Sequence, residues 1–154
     1  MSPALRYAEA GYRIFPCSAR NKRPLTNNGF HDATRDEGQI LAWVEKHPGC
    51  LWGTPDGLVL DIDTHEGGAD GYASYRALTE EHGDGGGIAV QTRSGGLHLW
   101  YANPEGIGRR IGVRPGLDVI GADGYKILWE PDKLPALADP VSYTHLTLPT
   151  TPYV

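Results

Sequence analysis

The pattern of apolar and polar positions along the chain predicts three helices and a series of short strands. Apolar residues recur at helical spacing over 2–11, 35–49 and 69–83. The first of these segments begins with Ser-Pro, a common helix start, and reaches Gly11, a residue type that often ends a helix. Short apolar or alternating runs predict strands at 12–16, 50–55, 58–63, 88–93, 97–102, 116–121 and 125–131.

The order of these elements predicts an α+β fold. Helices and strands alternate in the first half of the chain, and strands dominate the second half. Ser-Gly-Gly lies between the strands at 88–93 and 97–102 and predicts a hairpin. The segments 17–34 and 103–115 are rich in turn-forming residues and are predicted to be loops. We therefore expect a mostly antiparallel sheet with helices on one side.

Length and composition narrow the class of protein. The chain has 154 residues, enough for one domain, and its apolar fraction of 40% is typical of a folded protein. It has no apolar run of membrane-spanning length, and its first residues lack a secretory signal. Cys17 and Cys50 are accordingly expected to be free thiols of a cytoplasmic protein, and two cysteines cannot form a four-cysteine zinc site.

The charge distribution bears on nucleic-acid binding. A net charge of −5 argues against a protein that coats nucleic acid by charge alone. It leaves room for a local basic groove, because such a field depends on where the charges lie. Basic residues cluster at 20–24, which includes Lys22 and Arg23, and again at Arg109, Arg110 and Arg114. Each cluster could contact phosphate or template, or could be a solvated loop.

The segment 141–154 differs from the rest of the chain. It contains no Asp, Glu, Lys or Arg and is rich in Thr and Pro. Its beginning, VSYTHLTLPT, resembles a translated sequencing adapter, so we interpret it as foreign to the fold. A natural linker rich in Thr and Pro is the alternative. On the first interpretation the folded domain occupies 1–140, and the native chain continued beyond it.

Two carboxylates end an apolar strand in GLVLDID, at 57–63. Asp61 and Asp63 are separated by one residue, so both point to one face of a strand while Ile62 points to the other. Two negative charges about 7 Å apart repel each other unless a cation lies between them. With Asp118 from a later strand, they could hold two Mg²⁺ or Mn²⁺ ions for phosphoryl or nucleotidyl transfer. A strand end that simply faces water is the alternative.

The stretch RSGGLHLW, at 93–100, offers groups that could hold a phosphate. Its glycines allow close backbone approach, and Ser94 and the neighbouring amides can donate hydrogen bonds. His98 lies on the predicted strand that follows, where it could contact a triphosphate. An ordinary hairpin turn followed by a structural histidine explains the same residues.

Taken in order, these segments resemble the N-terminal bifunctional primase–polymerase domain of plasmid and phage replication proteins, within the archaeo-eukaryotic primase superfamily. The resemblance implies a catalytic sheet like that of an RNA-recognition motif, packed against an N-terminal α/β unit. It runs from Ala4 to Pro131 and rests on NKRPL at 21–25, GFHDAT at 29–34, LDID at 60–63, SGGLHLW at 94–100 and LDVIG at 117–121.

The resemblance implies a role for each matching residue. Asp61, Asp63 and Asp118 correspond to the catalytic carboxylates that bind two Mg²⁺ or Mn²⁺ ions. The expected partners are a single-stranded DNA template, NTP or dNTP substrates, and a helicase domain or protein beyond the C-terminal end. Some relatives carry a zinc-binding insertion, for which this sequence has no ligand set. The residues that correspond to the nucleotide-binding motif are Arg93, Ser94, Gly95, Gly96 and His98.

Three other functions use similar residues. A metal-dependent phosphohydrolase also places D-x-D after an apolar strand, but its usual Thr stands four residues after the first Asp, and here Thr64 stands at three. A metal-dependent nuclease would share the carboxylates without needing the Ser-Gly-Gly-x-His element. A replication initiator could use the domain to bind DNA without catalysis.

Overall fold

A computed structural model describes residues 2–63, 71–82, 88–93, 96–103, 106–130 and 133, with only the backbone described at 82 and 110–114. Within these residues, three α-helices and one short 3-10 helix accompany two antiparallel sheets. The prediction of an α+β fold is confirmed. The strands are β1 (Phe15–Cys17), β2 (Leu51–Thr54), β3 (Leu58–Ile62), β4 (Ile88–Gln91), β5 (Leu97–Tyr101), β6 (Arg110–Arg114), β7 (Leu117–Ile120) and β8 (Lys126–Leu128).

The helices form where helical spacing predicted them. They are α1 (Pro3–Glu9), α2 (Glu37–Lys46) and α3 (Gly71–His82). Ser2 caps the start of α1 with its hydroxyl oxygen. Gly11 follows α1 with φ at 101°, a left-handed conformation that glycine adopts without the steric cost of a side chain.

The smaller sheet joins an early strand and a late strand of the described chain. Its order is β1-β2-β8, so a strand from the C-terminal part completes a sheet begun near the N-terminus. Helices α1 and α2 pack beside this sheet, and Tyr7 of α1 donates its hydroxyl hydrogen to the carbonyl of Leu128 at 3.1 Å. The N-terminal α/β unit thus includes β8. Trp129, which follows β8 by one residue, lies in a cavity shared with the larger sheet.

The larger sheet has five strands in the order β4-β5-β3-β7-β6, all antiparallel to their neighbours. The predicted hairpin of β4 and β5 is present. The predicted loop at 103–115 is wrong in its second half, which forms β6. Glycines at 106, 108 and 112 lower the strand propensity of this segment, so the sequence pattern did not predict β6. Pro115 and Gly116 form the turn that pairs β6 with β7. The predicted loop at 17–34 contains a 3-10 helix at Gly29–Asp32.

The two faces of the larger sheet pack against different layers. One face carries Leu58, Leu60 and Ile62, which join Leu78 of α3 in a buried cluster. The other face carries Val59 and Trp100, which pack with the first two helices and the smaller sheet. The expectation of helices on one side of a single sheet is therefore too simple. Asp61 lies on the second face, beyond the point where the N-terminal unit covers it.

Lys126 connects the two sheets through a buried ammonium group. Its side chain is almost fully buried, and its Nζ donates to the carbonyls of Pro55, Gly57 and Gly121 at 2.9, 3.0 and 3.2 Å. These carbonyls belong to the turn between β2 and β3 and to the residue after β7. Burial lowers the pKa of Lys126 to about 7, while the three carbonyl acceptors favour its charged form.

Two other predictions concern the whole chain. Cys17 is buried, Cys50 is partly buried, and both are free thiols. In the part of the chain that the structure describes, no helix is both long and apolar enough to cross a membrane. The proposed boundary at residue 140 and the segment 141–154 lie outside the described residues and stay a prediction.

Candidate active site

Strand pairing places three of the predicted site residues side by side. Asp61 lies on β3, the central strand of the larger sheet. Its direct partner on β5 is His98, and its direct partner on β7 is Asp118. Directly opposite residues of an antiparallel pair project from the same face with Cβ atoms roughly 5 Å apart. The three side chains therefore form a row across the sheet.

Asp63 extends this row along β3. The exposed fraction of the Ile62 side chain is zero, so the predicted alternation, with Ile62 in the core and both aspartates on the other face, is confirmed. The amide of Asp63 donates to the carbonyl of Gly116 at 2.8 Å, and its carbonyl accepts from the amide of Gly71 at 3.0 Å. A Cβ atom at Gly71 would collide with both of these carbonyl oxygens. The first residue of α3 must be glycine for the backbone of Asp63 to lie where it does.

The row of acidic residues forms one wall of a cavity of about 630 Å³. The opposite wall comes from the N-terminal unit and from the residues at either end of β8. Both sheets therefore contribute to the cavity, although its acidic residues all belong to the larger one. Besides Asp61, Asp63, His98 and Asp118, the lining includes Lys22, Ile62, Thr92, Gly96, Ile120, Tyr125, Lys126, Ile127 and Trp129.

The electrostatics of this row favour a cation. Partial burial raises the pKa of Asp61, and the negative charges of Asp118 and Asp63 raise it further. The positive charge of Lys22 opposes these effects. Three carboxylates crowded on a partly buried surface lower their mutual repulsion by binding protons or metal ions. Among the described residues, however, no three acidic, histidine or cysteine side chains already surround one metal position.

His98 is a neutral group in this site. Burial lowers its pKa to about 4, and the charge of Lys22 lowers it further, so the ring is uncharged at pH 7. Its Nε2 lies 3.6 Å from Oδ1 of Asp61, just beyond hydrogen-bond distance, and the contact is not an ion pair. Its buried Nδ1 has no hydrogen-bond partner among the described residues. A neutral imidazole carries one N–H donor and contributes no charge to the site.

The turn before His98 is described only in part. The amide of Thr92 donates to the carbonyl of Gly96 at 2.9 Å and closes the turn between β4 and β5. Ser94 and Gly95, predicted to bind nucleotide, lie outside the described residues. Arg93 is exposed, and one of its guanidinium nitrogens lies 3.4 Å from the carbonyl of Ala19.

The predicted basic residues separate into two groups. Lys22 lines the cavity, whereas Arg23 is exposed on the same loop and is not among the lining residues. Arg109 is exposed, and its amide donates to Asp123 at 2.8 Å. Arg110 and Arg114 begin and end β6, which is separated from β3 by β7. The expected loop of arginines is therefore largely an edge strand.

Several lining residues were not predicted from the sequence, and three of them, Tyr125, Lys126 and Trp129, lie at or beside the ends of β8. Sequence patterning places Trp129 only within the predicted strand at 125–131 and indicates no role in binding a ligand. It packs partly against the core, yet its ring also lines the cavity and lies near two cationic side chains. Tyr125 and Lys126 line the same wall. Their only sequence signal was a strand prediction, which does not reveal that β8 joins the N-terminal sheet.

Comparison with protein families agrees with this geometry. Residues 4–149 match the family described as bifunctional DNA primase/polymerase, N-terminal (Prim-Pol). The chain belongs to the Prim-Pol family. Membership gives it a primase/polymerase type of function in replication, and the match includes Asp61, Asp63, His98 and Asp118. A search of curated proteins found no match. The Prim-Pol match extends past residue 140, so the end of the native domain is left as a prediction.

Proposed function

We propose that this Prim-Pol domain catalyses template-directed nucleotidyl transfer and makes or extends DNA primers during plasmid or phage replication. The observation that supports the proposal best is the register of the larger sheet. It brings Asp61 directly opposite both Asp118 and His98, on the side of the sheet that faces the cavity. A strand end that merely faced water would not need a second carboxylate directly opposite Asp61 and a third two residues along the strand.

The donor set is chemically suited to Mg²⁺ or Mn²⁺. Hard divalent ions prefer carboxylate oxygens, and Asp61, Asp63 and Asp118 supply them from two adjacent strands. Burial raises the pKa of Asp61, and the neighbouring charges of Asp118 and Asp63 raise it further, so a bound cation would stabilise the ionised cluster. Because these side chains do not yet surround a common position, ion binding is expected to draw them together. When bound, two such ions would activate the attacking hydroxyl and offset charge on the transferred phosphate.

The remaining residues of the cavity have separate roles in the proposed reaction. The neutral imidazole of His98 can donate a hydrogen bond to the triphosphate of the incoming nucleotide. Gly96 leaves the turn beside it without a side chain, so that phosphate oxygens can approach the backbone closely. Lys22, on the opposite wall, can offset negative charge on the same phosphate chain. The exposed residues Arg23 and Arg109 would contact the backbone of the template strand.

A primer assay tests the proposed function directly. The chain would be incubated with single-stranded DNA, labelled NTPs or dNTPs, and Mg²⁺ or Mn²⁺, with and without an annealed primer. We expect products longer than the primer, and we expect Asp61→Asn to lower the rate on the order of 1000-fold, because metal ions contribute several kcal/mol to such reactions. Glu45→Gln, an exposed change on α2, is the matched control.

The same assay distinguishes the alternatives. Shortened strands without nucleotides would indicate a nuclease. Binding of DNA that needs neither nucleotide nor metal, with no change in strand length, would indicate a DNA-binding module of a replication initiator. Full synthesis by the Asp61→Asn and Asp118→Asn variants would contradict the assignment of this site.

A further inference from the structure

The ring of Trp129 lies near two cationic groups from distant parts of the chain. The Nζ of Lys22 is 5.4 Å from the ring centroid, and the Cζ of Arg93 is 5.3 Å from it. Both distances are within the range of an attractive cation–π interaction. An aromatic ring orients a cation without neutralising its charge as a carboxylate would. The arrangement therefore holds two positive charges in place and leaves them able to attract an anion.

The loop that carries Lys22 is fixed by backbone hydrogen bonds. The amide of Ser18 donates to the carbonyl of Arg23, and the amide of Lys22 donates to the carbonyl of Ser18, both at 2.8 Å. Lys22 has φ at 64°, and it is the one residue other than glycine with positive φ in the described part of the chain. Residues with side chains adopt this conformation at an energetic cost and often do so at ligand sites. The hydroxyl of Tyr125 holds the strained residue by donating to its carbonyl at 2.9 Å.

Lys22 and Trp129 face the acidic row across one cavity. Both line the cavity that also contains Asp61, Asp63 and Asp118. The charge of Lys22 reaches the acidic wall, where it lowers the pKa of Asp61. Arg93 is not among the lining residues, but it lies against the same ring as Lys22. A cavity that three carboxylates and Lys22 line together matches an anion that carries its own divalent cation. A polyphosphate chain has this character, because its oxygens bind divalent ions on one side and cationic side chains on the other.

We propose that Trp129 is a positioning residue that holds Lys22 and Arg93 against the polyphosphate of the incoming nucleotide. Tyr125 supports it by fixing the backbone of Lys22. This inference rests on the proposed function, since it assigns the triphosphate to the part of the same cavity that Lys22 and Trp129 line. Lys22 comes from the N-terminal unit, Trp129 follows β8, and Arg93 lies in the turn between β4 and β5.

Binding of inorganic tripolyphosphate tests this role without requiring synthesis. Affinity would be measured by calorimetry with Mn²⁺ present, for the full chain and for Trp129→Leu, Trp129→Phe, and Lys22→Gln with Arg93→Gln. We expect Trp129→Leu to weaken binding roughly ten-fold, the scale of two exposed cation–π contacts. Trp129→Phe should retain part of the affinity, because a smaller ring still attracts cations. Lys46→Gln removes an exposed charge at the end of α2 and serves as the control.

A double-mutant cycle separates positioning from structural support. If Trp129 acts by holding the two cations, Trp129→Leu has no further effect once Lys22 and Arg93 are neutral. An equal loss in both backgrounds would overturn the proposal. So would unchanged affinity in Trp129→Leu, or no tripolyphosphate binding by the parent chain. If Trp129→Leu does not fold, as judged by circular dichroism, the cycle is made with Trp129→Phe, which preserves most of the packing.

A single-stranded oligonucleotide provides the second probe. If Trp129→Leu weakens oligonucleotide binding and leaves tripolyphosphate binding unchanged, the two cations hold the DNA backbone, and the proposal is wrong. This outcome is compatible with normal primer synthesis by the parent chain. The opposite result is also informative. If the parent chain makes no primers but binds tripolyphosphate in a way that depends on Trp129, the proposed reaction is wrong and the proposed binding site stands.

Discussion

Asp61 and Asp118 are direct partners across the antiparallel pair of β3 and β7, although more than fifty positions of the chain separate them. Like charges directly opposite each other in a sheet destabilise it. In this chain they line a cavity to which Lys22 also contributes, and Asp63 adds a third carboxylate nearby. Such a cluster is explained more readily by what it binds than by its contribution to folding.

Divalent ions are expected to stabilise the chain through this cluster. In Mn²⁺ at ten times the dissociation constant, linkage predicts an increase of about 1.4 kcal/mol in the free energy of unfolding. Asp61→Asn and Asp118→Asn should lose this response, because each removes a carboxylate ligand. Thermal or urea unfolding with and without Mn²⁺ measures it, and Glu45→Gln should respond like the parent. An undiminished response in both Asn variants would place the ion elsewhere.

The same two substitutions should stabilise the metal-free chain. Each removes one charge of a directly opposed pair, so the free energy of unfolding should rise by up to about 1 kcal/mol. Urea unfolding in the presence of a chelator measures the change. If either Asn variant is less stable than the parent under these conditions, mutual repulsion does not dominate the environment of Asp61.

His98 is expected to affect nucleotide binding more than the chemical step. Its ring is neutral and offers a hydrogen bond, so His98→Ala should raise KM for the incoming nucleotide roughly ten-fold, the scale of one lost hydrogen bond to a charged group. The change in kcat should be much smaller than that in the Asp61→Asn variant. Steady-state primer extension separates the two constants. A fall in kcat with unchanged KM would instead make His98 part of the transition-state machinery.

Lys126 is expected to be important for stability because it binds three buried carbonyls. Lys126→Met removes all three hydrogen bonds and should lower the free energy of unfolding by roughly 3 kcal/mol, since buried acceptors left without donors are costly. Lys46→Met, an exposed change on α2, should have almost no effect. Urea unfolding measures both. Equal stability of the two variants would show that the carbonyls find other donors.

The buried position of Lys126 also predicts a dependence of stability on pH. Its pKa is about 7 in the folded chain and near 10.5 when unfolded, so the unfolded chain binds more protons between these values. Stability therefore rises as pH increases from 7 towards 10.5. The difference between parent and Lys126→Met isolates this effect from other groups. A difference that stays constant over this range would mean that Lys126 keeps its ordinary pKa.

Gly71→Ala should disturb the site through the backbone of Asp63. The added methyl group would collide with the carbonyls of Asp63 and Gly116, and such overpacking costs roughly 2 kcal/mol. We expect a lower melting temperature and a smaller response to Mn²⁺. Gly38→Ala in α2 is the matched control, because a Cβ there meets only the Asp36 carboxylate at 3.4 Å. A normal Mn²⁺ response in Gly71→Ala would show that Asp63 tolerates displacement.

The sequence by itself determined the features that depend on near neighbours. Alternation around Ile62 placed Asp61 and Asp63 on one face, and Ser2 and Gly11 marked the two ends of α1. These predictions are confirmed because strand alternation and helix capping involve residues only a few positions apart. The resemblance of the motifs to the Prim-Pol family also came from the sequence alone, and the family match agrees with it.

The tertiary structure alone decided which distant residues meet. Register across β5, β3 and β7 puts His98 and Asp118 beside Asp61, and no local pattern specifies it. The pairing of β8 with β2 carries Trp129 to the cavity, although its strand signal was indistinguishable from that of any other short apolar run. Strand order and register depend on burying a whole face of side chains at once, which is a property of the assembled sheet rather than of any one segment.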